Sequence, residues 1–137
     1  MIRGRILIVE DEYFLADDCA DLVRKAGFAV AGPFYSLADV HVNLWDIDGA
    51  LIDINLRGVC VYPLLDDLLD WRIPVTLYTG YARETLPAKY AGLSHVLKPS
   101  KPSEAVKELC RQIKATCLKR LLDRGPRAFC NKGQRRD

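Results

Sequence analysis

Arg5-Ile6-Leu7-Ile8-Val9-Glu10-Asp11-Glu12 is the stretch on which the fold turns. Four consecutive apolar residues, three of them β-branched, stop abruptly at three acids. A continuous apolar run of that length suits a strand buried on both faces, as in a parallel sheet. The pattern then changes period. Phe14, Leu15, Cys19, Leu22, Val23 and Ala26 recur at spacings of three and four. That predicts a helix, with Gly27 just past its end.

Working outward, the alternation repeats. Phe28-Ala29-Val30-Ala31 reads as a short strand closed by Gly32-Pro33. Ser36, with Asp39 three residues on, looks like a helix start, and that helix would run towards Trp45. Gly49 to Ile54 is a third strand, apolar until Asp53. Pro63 suits a first helical turn, followed by the apolar stripe Leu64, Leu65, Leu68 and Leu69. Ile73 to Thr79 is a fourth strand and Ser94 to Leu97 a fifth. Between them Pro87 leaves room for only a short helix in 83–91. Pro102 to about Leu122 reads as one long helix carrying Ala105, Leu109, Ile113, Cys117 and Leu121. Strands alternating with helices predict an α/β fold: a parallel sheet covered on both faces and joined by right-handed crossovers.

The chain has 137 residues, half of them apolar and 28% charged, which suits one globular domain. No apolar run approaches the roughly 20 residues that cross a bilayer. The N-terminal residues do not resemble a secretory signal, so no membrane partner and a cytoplasmic location are expected. The formal net charge of +2 hides an asymmetry: residues 1–110 carry −5 and residues 111–137 carry +7. Cys19, Cys60, Cys110, Cys117 and Cys130 form no C-x-x-C pair, and only His41 and His95 could join them at a zinc site. Cys110 and Cys117, seven apart on one helix face, read as small buried apolar side chains.

In an open parallel sheet, ligands bind beyond the carboxyl ends of the strands. Those ends are Glu10-Asp11, Asp53, Thr79 and Lys98-Pro99. One acid after a strand is commonplace, as a cap or turn residue. Chemical groups at four strand ends in order are not. Converging carboxylates repel unless a cation sits among them, and hard oxygen ligands suit Mg²⁺. An ammonium and a hydroxyl facing the same place suit an incoming anion. A carboxylate nucleophile between a divalent cation and an ammonium describes phosphoryl transfer to aspartate.

Together, Ile-Leu-Ile-Val-Glu-Asp-Glu at 6–12, Ala-Leu-Ile-Asp-Ile-Asn-Leu at 50–56, Thr79-Gly80 and Lys98-Pro99 resemble the receiver domains of bacterial response regulators. The match covers roughly the first 120 residues. It implies a flavodoxin-like, doubly wound five-stranded sheet of order 2-1-3-4-5. It also implies roles. Asp53 corresponds to the phospho-accepting aspartate. Glu10 and Asp11 correspond to the acidic pair that holds Mg²⁺, with Asp11 the direct ligand and Glu10 acting partly through water. Asn55 would complete the metal shell with its backbone carbonyl rather than its side chain. Lys98 corresponds to the lysine that pairs with the acceptor or its phosphate, and Thr79 to the switch hydroxyl. A cis bond often precedes Pro99 in the family. Pro74-Val75-Thr76-Leu77-Tyr78-Thr79-Gly80-Tyr81 is similar to a subfamily motif, Pro-Phe-x-Phe-Ala-Thr-Gly-Tyr, which implies a short or mobile fourth helix.

Three positions depart from the family. Arg57 and Val61 stand where proline and glycine are usual after the acceptor, so that loop is expected to run differently, with Gly58 supplying the turn. His95 stands where the aromatic switch residue is usual, and an imidazole titrates near neutral pH.

The resemblance implies a single-domain response regulator over residues 1–123 with a basic, disordered tail at 124–137. It would accept phosphate from a histidine kinase or phosphotransfer protein and signal by contact with a downstream protein, without being an enzyme in its own right. A phosphatase of the haloacid dehalogenase type would need an acid where Asn55 stands. The alternative is a receiver-like interaction module that works without phosphorylation. The stretch after Leu122 is too short for a helix-turn-helix unit, so nucleic acid could be met only through the basic tail. Oligomeric state stays open.

Overall fold

Residues 3–124 are described by a computed structural model. Their order is β1 (Arg5–Val9), α1 (Tyr13–Lys25), β2 (Ala29–Phe34), β3 (Gly49–Ile52), β4 (Asn55–Leu56), β5 (Val59–Cys60), α2 (Tyr62–Asp70), β6 (Val75–Thr79), β7 (Ser94–Leu97) and α3 (Pro102–Arg124). Five strands form one parallel sheet in the order β2-β1-β3-β6-β7. Counting only strands of this sheet, that is the expected order 2-1-3-4-5.

The period-two alternation within β1 decides which helix packs where. Leu7 and Val9 face a core with Ile52 of β3 and Leu64, Leu65 and Leu68 of α2. Ile6 and Ile8 face the other side, against Cys19, Ala20 and Val23 of α1 and Ala105, Leu109 and Ile113 of α3. Both faces of β1 are therefore dry, which is why it reads as an unbroken apolar run. Each fully buried Leu or Ile contributes on the order of 2 kcal/mol of apolar transfer. No described helix is long and apolar enough to cross a membrane.

Several local expectations change. β2 does not stop at Ala31 but continues to Phe34 through a cis Gly32-Pro33 bond, with Gly32 at φ 101°. β2 is an edge strand, where a proline without an N–H can be tolerated. The helix expected from Ser36 to Trp45 is absent. Two 3₁₀ turns, Leu37–Asp39 and Leu44–Asp46, replace it, and Val40 between them is extended. Leu37, Val40, Val42 and Leu44 nonetheless pack on the core. The alternation of Val40, Val42 and Leu44 and the β-branched valines favour extended chain over helix.

The expected short fourth helix is reduced to two 3₁₀ turns, Arg83–Thr85 and Ala88–Tyr90. Tyr90 anchors this segment: its buried ring stacks on Tyr62, and its hydroxyl donates to Asp66 Oδ1 at 2.6 Å. The Arg83 guanidinium donates to the carbonyls of Ala91 and Leu93. The expected helix to about Leu122 is α3, one turn or less longer. Cys110 and Cys117 are half-buried on it rather than buried. The basic tail beyond residue 124 lies outside the described residues.

Candidate phosphoryl-transfer site

The backbone ladder continues one residue past three strands, and this places the chemistry. The Glu10 N–H donates to the Phe34 carbonyl at 3.0 Å, the Asp53 N–H to Val9 at 3.0 Å, and the Lys98 N–H to Thr79 at 2.8 Å. Each functional residue is thus tied to the neighbouring strand at its first non-strand position. The Lys98-Pro99 bond is cis.

The side chains meet at that edge. Lys98 Nζ donates to Glu10 Oε1 at 2.7 Å and to Asp53 Oδ2 at 3.1 Å. Glu10, Asp53 and Thr79 are buried, whereas Asp11 is half-buried. Glu10 Oε2 accepts the Glu12 N–H, and Asp11 Oδ2 accepts the Arg57 N–H at 3.0 Å. Thr79 Oγ1 accepts the Tyr81 N–H at 3.3 Å. The lysine bridges the acid of β1 and the acid of β3, and its shorter bond goes to Glu10. The family resemblance implied pairing with the acceptor or its phosphate, and the bond to Glu10 was not expected.

The altered loop after Asp53 is a hairpin. β4 and β5 pair antiparallel around Arg57-Gly58, which adopt φ 54° and 84°. Two positive φ values suit a two-residue type I′ turn, so Gly58 serves the turn as expected. The Asn55 side chain turns out to have a function of its own. Its Nδ2 donates to the Tyr81 hydroxyl at 2.6 Å, and its Oδ1 accepts the Gly58 N–H at 2.7 Å. The hairpin is therefore linked to the segment after Thr79. On its other side, the Arg57 guanidinium donates to the Tyr13 hydroxyl at 3.1 Å. Tyr13, Arg57 and Tyr81 were not singled out from sequence as site residues. The missing proline at position 57 was the available signal.

Electrostatics at this edge are unbalanced. Burial pushes the Glu10 carboxyl up to about 7, against the hydrogen bonds from Lys98 and the Glu12 backbone, and the Asp53 charge pushes the same way. Burial opposes the Lys98 charge, but the bond to Glu10 and the negative charges of Asp53 and Glu10 outweigh it and hold the ammonium above its ordinary value. One ammonium bridges two carboxylates, and a third, that of Asp11, joins them with one oxygen of each within 4.8 Å of the others. An all-oxygen donor set with surplus negative charge fits a hard divalent cation. Glu10, Asp11 and Asp53 could hold it.

Burial, with Glu10 adding to it, pushes the thiol of Cys19, behind this edge, up to about 12. His95 on β7 has both ring nitrogens buried without hydrogen-bond partners. Burial lowers its pKa.

No family model matches the chain, and no curated protein sequence matches it. Solved structures do match. A response regulator receiver domain protein (CheY-like) from Methanospirillum hungatei JF-1 superposes with a TM-score of 0.67 at 22% identity, over 85% of this chain and 98% of that one. The fold is that of receiver domains. SdrG from Sphingomonas melonis Fr1 gives 0.63 at 24% identity, over 81% and 96% of the two chains. The signal receiver domain of a Vibrio parahaemolyticus Luxo repressor protein gives 0.64 at 19%, over 89% and 98%. Against the receiver fold, Glu10, Asp11, Asp53, Thr79 and Lys98 all stand at the carboxyl edge of the sheet, and Asn55 opens the hairpin beside it.

Proposed function

We propose that this chain is a phospho-accepting signalling switch with Asp53 as the acceptor. The observation that carries the reading is the Lys98 ammonium bridging Glu10 and Asp53, with the Asp11 carboxylate alongside. One Asp53 oxygen forms an O–P bond while the P–N bond of a donor phosphohistidine breaks. The bonding pair leaves with the imidazole, which takes up a proton. Lys98 then exchanges one of its carboxylate contacts for a phosphoryl oxygen, and the Thr79 hydroxyl donates to another. Bound Mg²⁺ would neutralise the carboxylates and stabilise charge on the transferring group. The phosphoryl group carries roughly −1.5 to −2, but its oxygen is that of the Asp53 carboxylate, whose charge it replaces, so the already acidic edge gains about one negative charge. Its effect would pass through Thr79 to Tyr81 and the segment before β7.

The Asn55 side chain is committed to Tyr81 and Gly58, which favours a self-modified switch over a phosphatase with a general acid at that position. The donor would be a histidine kinase or histidine phosphotransfer protein, the output a protein contact, and the location cytoplasmic. Incubation with acetyl phosphate and Mg²⁺ should add one phosphate, read by intact mass. Asp53→Ala, or chelation of the metal, should abolish it. Unaltered incorporation by Asp53→Ala would sink the assignment.

A further inference from the structure

Arg57 sits in a conformation that an L side chain rarely adopts. Its φ of 54° opens the type I′ turn, where asparagine or glycine would carry less steric penalty. An arginine kept at such a place is a reason to look for a use. Its backbone N–H bonds Asp11 Oδ2 at 3.0 Å, so the residue is rooted beside the candidate metal ligands. Its guanidinium, however, does not pair with them. It donates to the neutral Tyr13 hydroxyl at 3.1 Å and lies 5.6 Å from the Tyr13 ring centroid, fully exposed. No ion pair engages it among the described residues. A full positive charge is thus held on a neutral ring at the open side of an acidic edge.

We propose that Arg57 is the capture arm of the site: it leaves Tyr13 and forks onto the non-transferring oxygens of the incoming phosphoryl group. The guanidinium is suited to this, because it is planar, always charged and matches phosphate bidentately. This deepens the phospho-acceptor reading and rests on it. With acetyl phosphate as donor, the Asp53 O–P bond forms as the donor's bridging P–O bond breaks, and the electron pair leaves with acetate. Arg57 holds the group and takes no part in the bond changes.

The test uses the full chain at saturating Mg²⁺, with acetyl phosphate titrated and phosphorylated protein counted by intact mass. Arg57→Ala should raise the half-saturating donor concentration about tenfold, the loss expected for one charge-assisted contact. Arg57→Lys should recover part of it. Arg57→Gln, which removes the charge but keeps a polar, partly extended side chain, should behave like Arg57→Ala and serves if the alanine variant does not fold. Mg²⁺ affinity, measured by calorimetry, should stay within about twofold, since only the backbone of Arg57 touches Asp11. An unchanged half-saturating concentration would overturn the inference alone. So would a parallel loss of Mg²⁺ affinity, which would make Arg57 a prop for the hairpin. No phosphate on the wild-type chain would overturn the acceptor reading and this one with it.

Discussion

Glu10 carries the site's charge imbalance, and that imbalance has a measurable sign. Its carboxyl titrates at about 7 in the fold against an ordinary 4.5. The folded protein therefore holds this proton more tightly than the unfolded chain does. The associated stability is complete below the unfolded value and is lost as the pH rises through the folded one. The loss is on the order of 3 kcal/mol for a shift of this size. His95 acts in the opposite sense, because its lowered pKa makes stability fall as the pH drops below 6.5. The Glu10 effect is isolated by comparing wild type with Glu10→Gln in thermal melts of the metal-free protein. Between about pH 4.5 and pH 7 the wild type should lose stability relative to the variant, and above that the difference should level off. Mg²⁺ should restore it, and by more at the upper end of that range. A wild-type curve parallel to that of Glu10→Gln would refute the charge argument. Side chains placed at a strand end by an apolar run can be read from sequence, and Glu10, Asp11, Asp53, Thr79 and Lys98 all fall there. The Lys98–Glu10 bond could not be read, because it depends on which of two buried acids the ammonium reaches first.

The β4–β5 hairpin shows what governs legibility among elements. Its turn was foreseeable from Gly58 and the absent proline at position 57. Its partners, Tyr13 and Tyr81, come from distant segments and leave no trace in local periodicity. The 36–45 stretch shows the reverse failure. Ser36 and Asp39 looked like a capping pair, but Ser36 makes no capping hydrogen bond. Propensity and period two outweighed the cap. The hairpin also makes a stability prediction. A Cβ at Gly58 would meet nothing within 4 Å, so any cost there is conformational rather than steric crowding. Gly58→Ala at φ 84° should cost about 1–2 kcal/mol in denaturant unfolding. Because the neighbouring N–H of Arg57 holds Asp11, the same variant should weaken Mg²⁺ binding. A neutral effect on both would mean that the hairpin relaxes freely and does not position Asp11.

At the scale of the whole molecule, order is unevenly distributed. β1 and β3 are buried on both faces and joined by parallel ladders. Residues 80–93 hold only two 3₁₀ turns, with Leu86 and Tyr90 as their buried anchors. Amide hydrogen exchange should therefore be slowest in β1, β3 and β6. Residues 82–92 should open well below the global unfolding free energy. Protection of that segment equal to β1 would contradict this. The five-strand order and the two-faced core were legible because they follow from continuous apolar runs. The loss of helix in two crossovers was not, because short weakly periodic segments take the shape that packing imposes.

α3 is out of proportion to the sheet it covers. Twenty-three residues make a rod of about 34 Å, roughly twice the length of a five-residue strand. Its first residue, Pro102, is four past Lys98, and the Ser100 carbonyl between them accepts the Tyr78 hydroxyl. Its far end carries the exposed Leu118, Leu121 and Leu122. Ala105, Leu109 and Ile113 seat its first half on the sheet, so the eleven residues after Ile113 form a cantilever of about 16 Å, and any tilt of the seated half would be amplified at the leucines.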